Sequence, residues 1–219
     1  MHDYYYFVTG PLAWIAFLVF IGGSIWRFRS LWELAKKKDG AVFEYMDTKF
    51  ALRSIGHWLI PFGSRSMKLN PAMTVVTFAF HICLFLTPIF VFAHVILFKE
   101  NFSISWFTLP NVVADLMTIT VIASSIFFLW RRIKLPDVRY LTTPLDFIIL
   151  SIVAAPFVTG FWAYHQFPGF AVMTIIHIIS GEIMLIAIPF TKLFHMFLFP
   201  FTRGYIGSEF GGVRMAKDW

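Results

Sequence analysis

Five stretches of the sequence, at 5–26, 72–98, 110–130, 144–164 and 170–199, are long and apolar enough to cross a hydrocarbon core. This pattern predicts an all-α fold, an integral membrane bundle of five transmembrane helices, with 1–219 forming a single membrane domain. Composition agrees: 58% of residues are hydrophobic, 20% aromatic and only 14% charged, outside the range of a soluble domain of this length. The first run starts with His2 and Asp3 rather than a basic region and is as long as a span, so it reads as a retained helix and not a signal peptide.

Lysine and arginine are distributed unevenly between the spans. The connections 27–68 and 131–139 carry most of them, from Arg27 to Lys68 and from Arg131 to Arg139, whereas the other connections offer Lys99 beside Glu100 and the uncharged HQFPG at 165–169. The positive-inside rule then puts the N-terminus outside and the C-terminus, with Arg203, Arg214 and Lys217, inside. Topology accounts for the net charge of +6, and nucleic acid is not an expected partner. Residues at about 41–60, with Phe43, Met46 and Phe50, suggest an amphipathic segment on the inner face that either anchors to anionic lipid or docks an inner-side subunit. The inner tail, 200–219, is too short to fold alone and is expected to lie on a partner. The FIGGS stretch at 20–24 supplies small residues for close packing of the first helix.

The lone cysteine, Cys83, excludes a disulfide framework, a Cys-x-x-Cys-His haem attachment and a cysteine-bound iron–sulfur cluster. No internal repeat, phosphate-binding loop or dinucleotide fingerprint is present. A redox metal would therefore be held by other side chains.

Histidine is the candidate. Four of the seven histidines fall inside predicted spans, His81 and His94 in the second and His177 and His195 in the fifth, and ionisable residues at membrane depth are rare and usually functional. On an ideal helix His177 and His195 project from one face, about 27 Å apart along the axis. The second and fifth spans run in opposite directions, so His94 and His177 share the outer half of the membrane and His81 and His195 the inner half. Two pairs of imidazoles stacked in this way suit two bis-histidine b-type haems. His81 and His94 lie about 140° apart around an ideal helix. Either Pro88 alters the winding between them, or the two haems sit on different sides of the contact between the spans.

The PFTKLFH stretch at 189–195 adds Lys192, placed to reach a haem propionate or a lipid phosphate, and Pro189, which loosens the backbone beside them. Glu182 is a candidate proton relay or a helix-packing hydrogen-bonder. Asp115 and Asp146 read as solvated or capping groups, and His57 and His165 as surface residues.

PFTKLFH preceded by His177, after an outward N-terminus and five spans, resembles the gamma (cytochrome b) subunit of respiratory nitrate reductases. Within that family, the TGPLAWIAFLVFIGGSIWR opening looks most like the membrane cytochrome b subunits of the Tmc, Hmc and Dsr transmembrane redox complexes of sulfate-reducing bacteria. The resemblance implies two haem b, the outer on His94 and His177 and the inner on His81 and His195, with menaquinone as a further candidate cofactor near 164–170. It also implies electron transfer in a bacterial inner (cytoplasmic) membrane, between a quinone pool or a periplasmic multihaem cytochrome c and a cytoplasmic iron–sulfur subunit, with membrane lipid as surroundings. Two other readings stay open: a small proton-coupled transporter using a His/Glu relay, and a haem-free membrane anchor subunit.

Overall fold

A computed structural model describes residues 2–219, and no strand occurs among them. In chain order, α1 (His2–Phe7) passes through a π-helical stretch at Val8–Leu12 into α2 (Ala13–Lys38); α3 (Val42–Tyr45), α4 (Thr48–Trp58) and α5 (Arg65–Leu69) follow. Then come α6 (Pro71–Phe90), α7 (Phe92–Phe102), α8 (Asn111–Lys134), α9 (Pro136–Tyr140), α10 (Pro144–Tyr164), α11 (Phe170–Phe190) and α12 (His195–Ser208). Among the described residues five helical segments are long and apolar enough to cross a membrane: Asp3–Lys38, Pro71–Phe90, Asn111–Lys134, Pro144–Tyr164 and Phe170–Phe190. Along them large side chains such as Leu116, Ile126, Ile148 and Val172 face outward, which is costly in water and suits lipid contact.

Three of the expected boundaries change. The first helix runs on past 26 to Lys38, because nothing in 27–38 breaks it and Lys36, Lys37 and Lys38 complement the negative end of its dipole. The expected second span, 72–98, is two helices separated at Val91, whose backbone is extended. Pro88 removes one backbone donor and crowds the preceding turn, and the helix gives way three residues later. The expected fifth span, 170–199, stops at Phe190; Thr191 is extended, a single 3-10 turn covers Lys192–Phe194, and α12 starts at His195. Pro189 is the local cause, and the Thr191 hydroxyl caps the new start by accepting from the Leu193 N–H at 3.2 Å.

The chain forms two compact units, Met1–Gly10 with Val76–Met184 and Pro11–Val75 with Leu185–Trp219. In the first, α8 and α10 are the most closely packed pair, around Val121, Ile149, Val153 and Phe157. Asp146 is buried there and closes a capping box with Thr143 at the start of α10, with Arg132 3.9 Å away. Capping is thus its role.

In the second unit the segment expected at 41–60 resolves into α3 and α4, and α4 packs along α12. The 200–219 tail therefore lies on its own chain, which changes the expectation that it lies on a partner. The reason is a row of small residues. A Cβ on Gly207 would run into Ser54, and one on Gly211 into the Phe50 ring, so only glycine permits this approach. Polar groups then fasten the pair: the Asp47 N–H donates to Ser208 Oγ at 2.8 Å, and Ser54 Oγ donates to Asp218 Oδ2 at 2.6 Å. Trp219 stacks on His57 at 4.1 Å. Gly207→Leu is expected to cost about 1–3 kcal/mol by overpacking and to expose the tail to protease. Gly204→Ala, whose Cβ would stand 3.6 Å from Ala51 Cβ, should leave both thermal unfolding and proteolysis unchanged. Of the FIGGS glycines, Gly23 sits against Pro189 and Phe190, while Gly22 meets nothing within 4 Å.

Candidate functional site

The interruption at Val91 frees three carbonyls, those of Pro88, Ile89 and Phe90, whose helical donors would have been the N–H groups of residues 92 to 94. A backbone carbonyl left bare in an apolar setting costs a few kcal/mol, yet each finds a new donor. The Trp106 indole N–H donates to Ile89 O at 2.8 Å, the Leu109 N–H to Phe90 O at 2.9 Å, and His94 Nδ1 to Pro88 O at 2.8 Å. All three carbonyls freed by the break are therefore bonded, and one of these bonds fixes the His94 ring.

His177, on α11, is fixed by the corresponding device on α10. Its Nδ1 donates to Pro156 O at 2.9 Å. One turn further along α10 is Gly160, where an added Cβ would come within 2.8 Å of the ring's Cε1 and 2.9 Å of its Nδ1. The missing side chain is what lets the imidazole lie against the α10 backbone. Ser180 and Thr159, whose hydroxyls are 3.3 Å apart, link α11 to α10 beside it.

These two devices bring the rings of His94 and His177 together, 6.0 Å between centroids and 21° between planes. A carbonyl oxygen can only accept, so Nδ1 carries the hydrogen in both rings and Nε2 carries the lone pair. Two imidazoles bound to one metal through nitrogen, at about 2 Å per bond, have ring centres about 6 Å apart. A hydrogen bond from the distal nitrogen to a backbone carbonyl is also the usual outer-shell partner of a metal-bound histidine. The donor set, tautomer and separation thus fit a metal that two imidazoles would hold, and the glycine cradle gives one ring its place.

The same choice of nitrogen recurs at the other two histidines expected in spans. His81 Nδ1 donates to Thr77 O at 2.7 Å, and His195 Nδ1 to Lys192 O at 2.9 Å. His57 and His165 differ: each uses Nε2, toward Gly63 O at 2.6 Å and Asp115 Oδ1 at 3.1 Å. His81 is half-buried on α6 in the first unit; His195 is exposed at the first turn of α12 in the second, with Lys192 in the turn before it. The expectation that His177 and His195 share one helical face fails, because the helix ends between them. Glu182 is buried with neither carboxyl oxygen hydrogen-bonded, so a helix-packing hydrogen bond is not its role. Among the described residues no three His, Cys, Asp or Glu side chains converge as a metal cluster, so the pair is the donor set to consider.

Gly160 and the carbonyls of Pro88 and Pro156 were not among the candidates read from sequence. The available signal was a proline one turn before a glycine in α10 and a proline six residues before His94.

Fold and site together define a polytopic helical membrane protein with a paired-imidazole site. A protein of Nitratidesulfovibrio vulgaris strain Hildenborough is 41% identical over 214 residues, covering 94% of this chain and 93% of the relative. The chain belongs to the family of that protein. No protein-family model and no solved structure matches it.

Proposed function

We propose that this protein is a dihaem b-type cytochrome membrane subunit, conducting electrons across a bacterial inner membrane between a quinone pool or a periplasmic multihaem cytochrome c and a cytoplasmic iron–sulfur subunit. The observation that carries the proposal is the His94–His177 pair, 6.0 Å apart with both Nδ1 atoms bonded to carbonyls. Haem iron held by two imidazoles exchanges single electrons. The chain's own part is to hold both rings as the Nδ1–H tautomer, to keep Nε2 basic through those bonds and to surround the pair with apolar spans that limit water, which tunes potential. For a second haem the proposal rests on the resemblance alone, which implies His81 and His195 as ligands and Lys192 as the partner of a propionate. Two further points favour the reading: all four of these histidines bond backbone through Nδ1, and the relative comes from a sulfate reducer, where the resembling complexes occur.

The test is a dithionite-reduced minus oxidised spectrum of the purified chain, with pyridine haemochrome quantitation. Two low-spin haem b per chain are expected. A folded preparation without haem would overturn the proposal and leave the transporter, for which the unpaired Glu182 carboxyl is the favouring observation, to be tested by uptake into vesicles.

A further inference from the structure

Glu182 is a buried ionisable group that neither the histidine pair nor a helix cap uses. At about 1.5 Å per residue it stands about 18 Å from the start of α11 and about 12 Å from its end, near the middle of a hydrocarbon core about 30 Å thick. The residue is 6% exposed, and neither carboxyl oxygen has a hydrogen-bond partner. Its neighbours one turn away along α11 are Ile178, Ile179, Leu185 and Ile186, all aliphatic. The helix bonded to α11 at His177 and Ser180 is α10, which carries no titratable side chain from 147 to 163. On α6 and α7 the titratable groups are His81, Cys83, His94, Lys99 and Glu100, and on α8 they are Asp115 near one end and the basic residues of 131–134 at the other. Among the described residues none of these bonds to or pairs with Glu182.

A lone carboxylate in such surroundings is far less stable than in water, and three things relieve it: a cationic side chain, a bound metal cation or a proton. No cationic side chain reaches it among the described residues. A hard metal cation takes several oxygen ligands, and among the described residues no cluster of carboxylates forms around Glu182. A proton needs no further ligand, and an unbonded neutral carboxyl costs far less than an unpaired charge. We infer that Glu182 is a proton-binding site in the middle of the membrane, a carboxylic acid in the resting protein that exchanges its proton with water when the bundle opens. The step is acid–base exchange alone: the carboxyl O–H bond breaks, the proton passes to a water molecule, the carboxylate takes one back, and no electron moves. This goes beyond the cytochrome reading and does not depend on it.

The experiment uses the full chain in detergent at neutral pH, produced with glutamate that carries a heavy carbon isotope in its side-chain carboxyl, and reads the infrared carbonyl stretch of protonated carboxyl groups. The label separates glutamate from aspartate and from any haem propionate. Glu33, Glu44 and Glu100 are exposed and Glu209 pairs with Arg214 at 3.1 Å, so Glu182 is the one glutamate expected to hold a proton. A single protonated-glutamate band is therefore expected; it should shift to lower frequency in heavy water and be lost in Glu182→Gln. No such band in the labelled parent chain, or an undiminished band in Glu182→Gln, would overturn the assignment, and the parent chain's reading decides by itself if the variant does not fold. Loss of the band in sodium chloride but not in potassium chloride would overturn the proton as ligand and leave a sodium site. Because the band is expected with or without haem, failure here is distinct from absence of haem in the visible spectrum.

Discussion

His177→Ala is expected to lose one of the two proposed haems, and His94→Ala the same one. The double variant should therefore still hold one haem per chain by pyridine haemochrome, as each single variant does. Loss of both haems in the double variant would show that the two histidines serve different irons and would break the pairing argued from their 6.0 Å separation. The single variants should differ in stability even though they match in haem content. Without its imidazole, Pro88 O loses the donor that replaced its helical one, whereas Pro156 O still has the Thr159 hydroxyl 3.4 Å away. An unsatisfied buried carbonyl costs about 1–3 kcal/mol, so His94→Ala should unfold at lower temperature than His177→Ala. Equal unfolding temperatures would remove the capping role assigned to His94.

Gly160→Val tests the cradle without touching either ligand. A first side-chain carbon at 160 already comes within 2.8 Å of the His177 ring, and the two methyls of valine add to the collision. Overpacking of this kind costs about 1–3 kcal/mol, and the ring, as the mobile partner, has to turn away from the α10 backbone. The expected result is loss of the same haem that His177→Ala removes, or its conversion to a high-spin form, with helix content by circular dichroism unchanged. A wild-type spectrum in Gly160→Val would mean that the ring's position does not depend on the glycine.

The spans and the candidate histidines were legible in the sequence for a simple reason. Hydropathy integrates over about twenty residues, and an imidazole among Ile, Leu and Phe is conspicuous in such a window. The geometry between the histidines was not legible, because helical-wheel arithmetic assumes an unbroken helix. The 140° angle from His81 to His94 and the shared face of His177 with His195 both lapse, since Val91 and Thr191 interrupt the helices that would carry them. Pro88 and Pro189 marked the danger, but where a helix actually yields depends on which donors can reach the freed carbonyls. Trp106 and Leu109 lie beyond α7, and nothing local announces that they return to residues 89 and 90. The tail was misread for a different reason: the spacing of Gly204, Gly207 and Gly211 is a packing face only once Phe50 and Ser54 are known to lie opposite.

The bonds around Val91 also set an order of assembly. Every donor that closes the interruption is supplied by residues 94 to 109, so the backbone that orients His94 is complete once that hairpin has been made. His177 has no such independence, because the carbonyl that holds its ring and the glycine that makes room for it both belong to α10. During synthesis the first half of the site requires nothing translated after Leu109, whereas the second exists only when α10 and α11 have both entered the membrane and met.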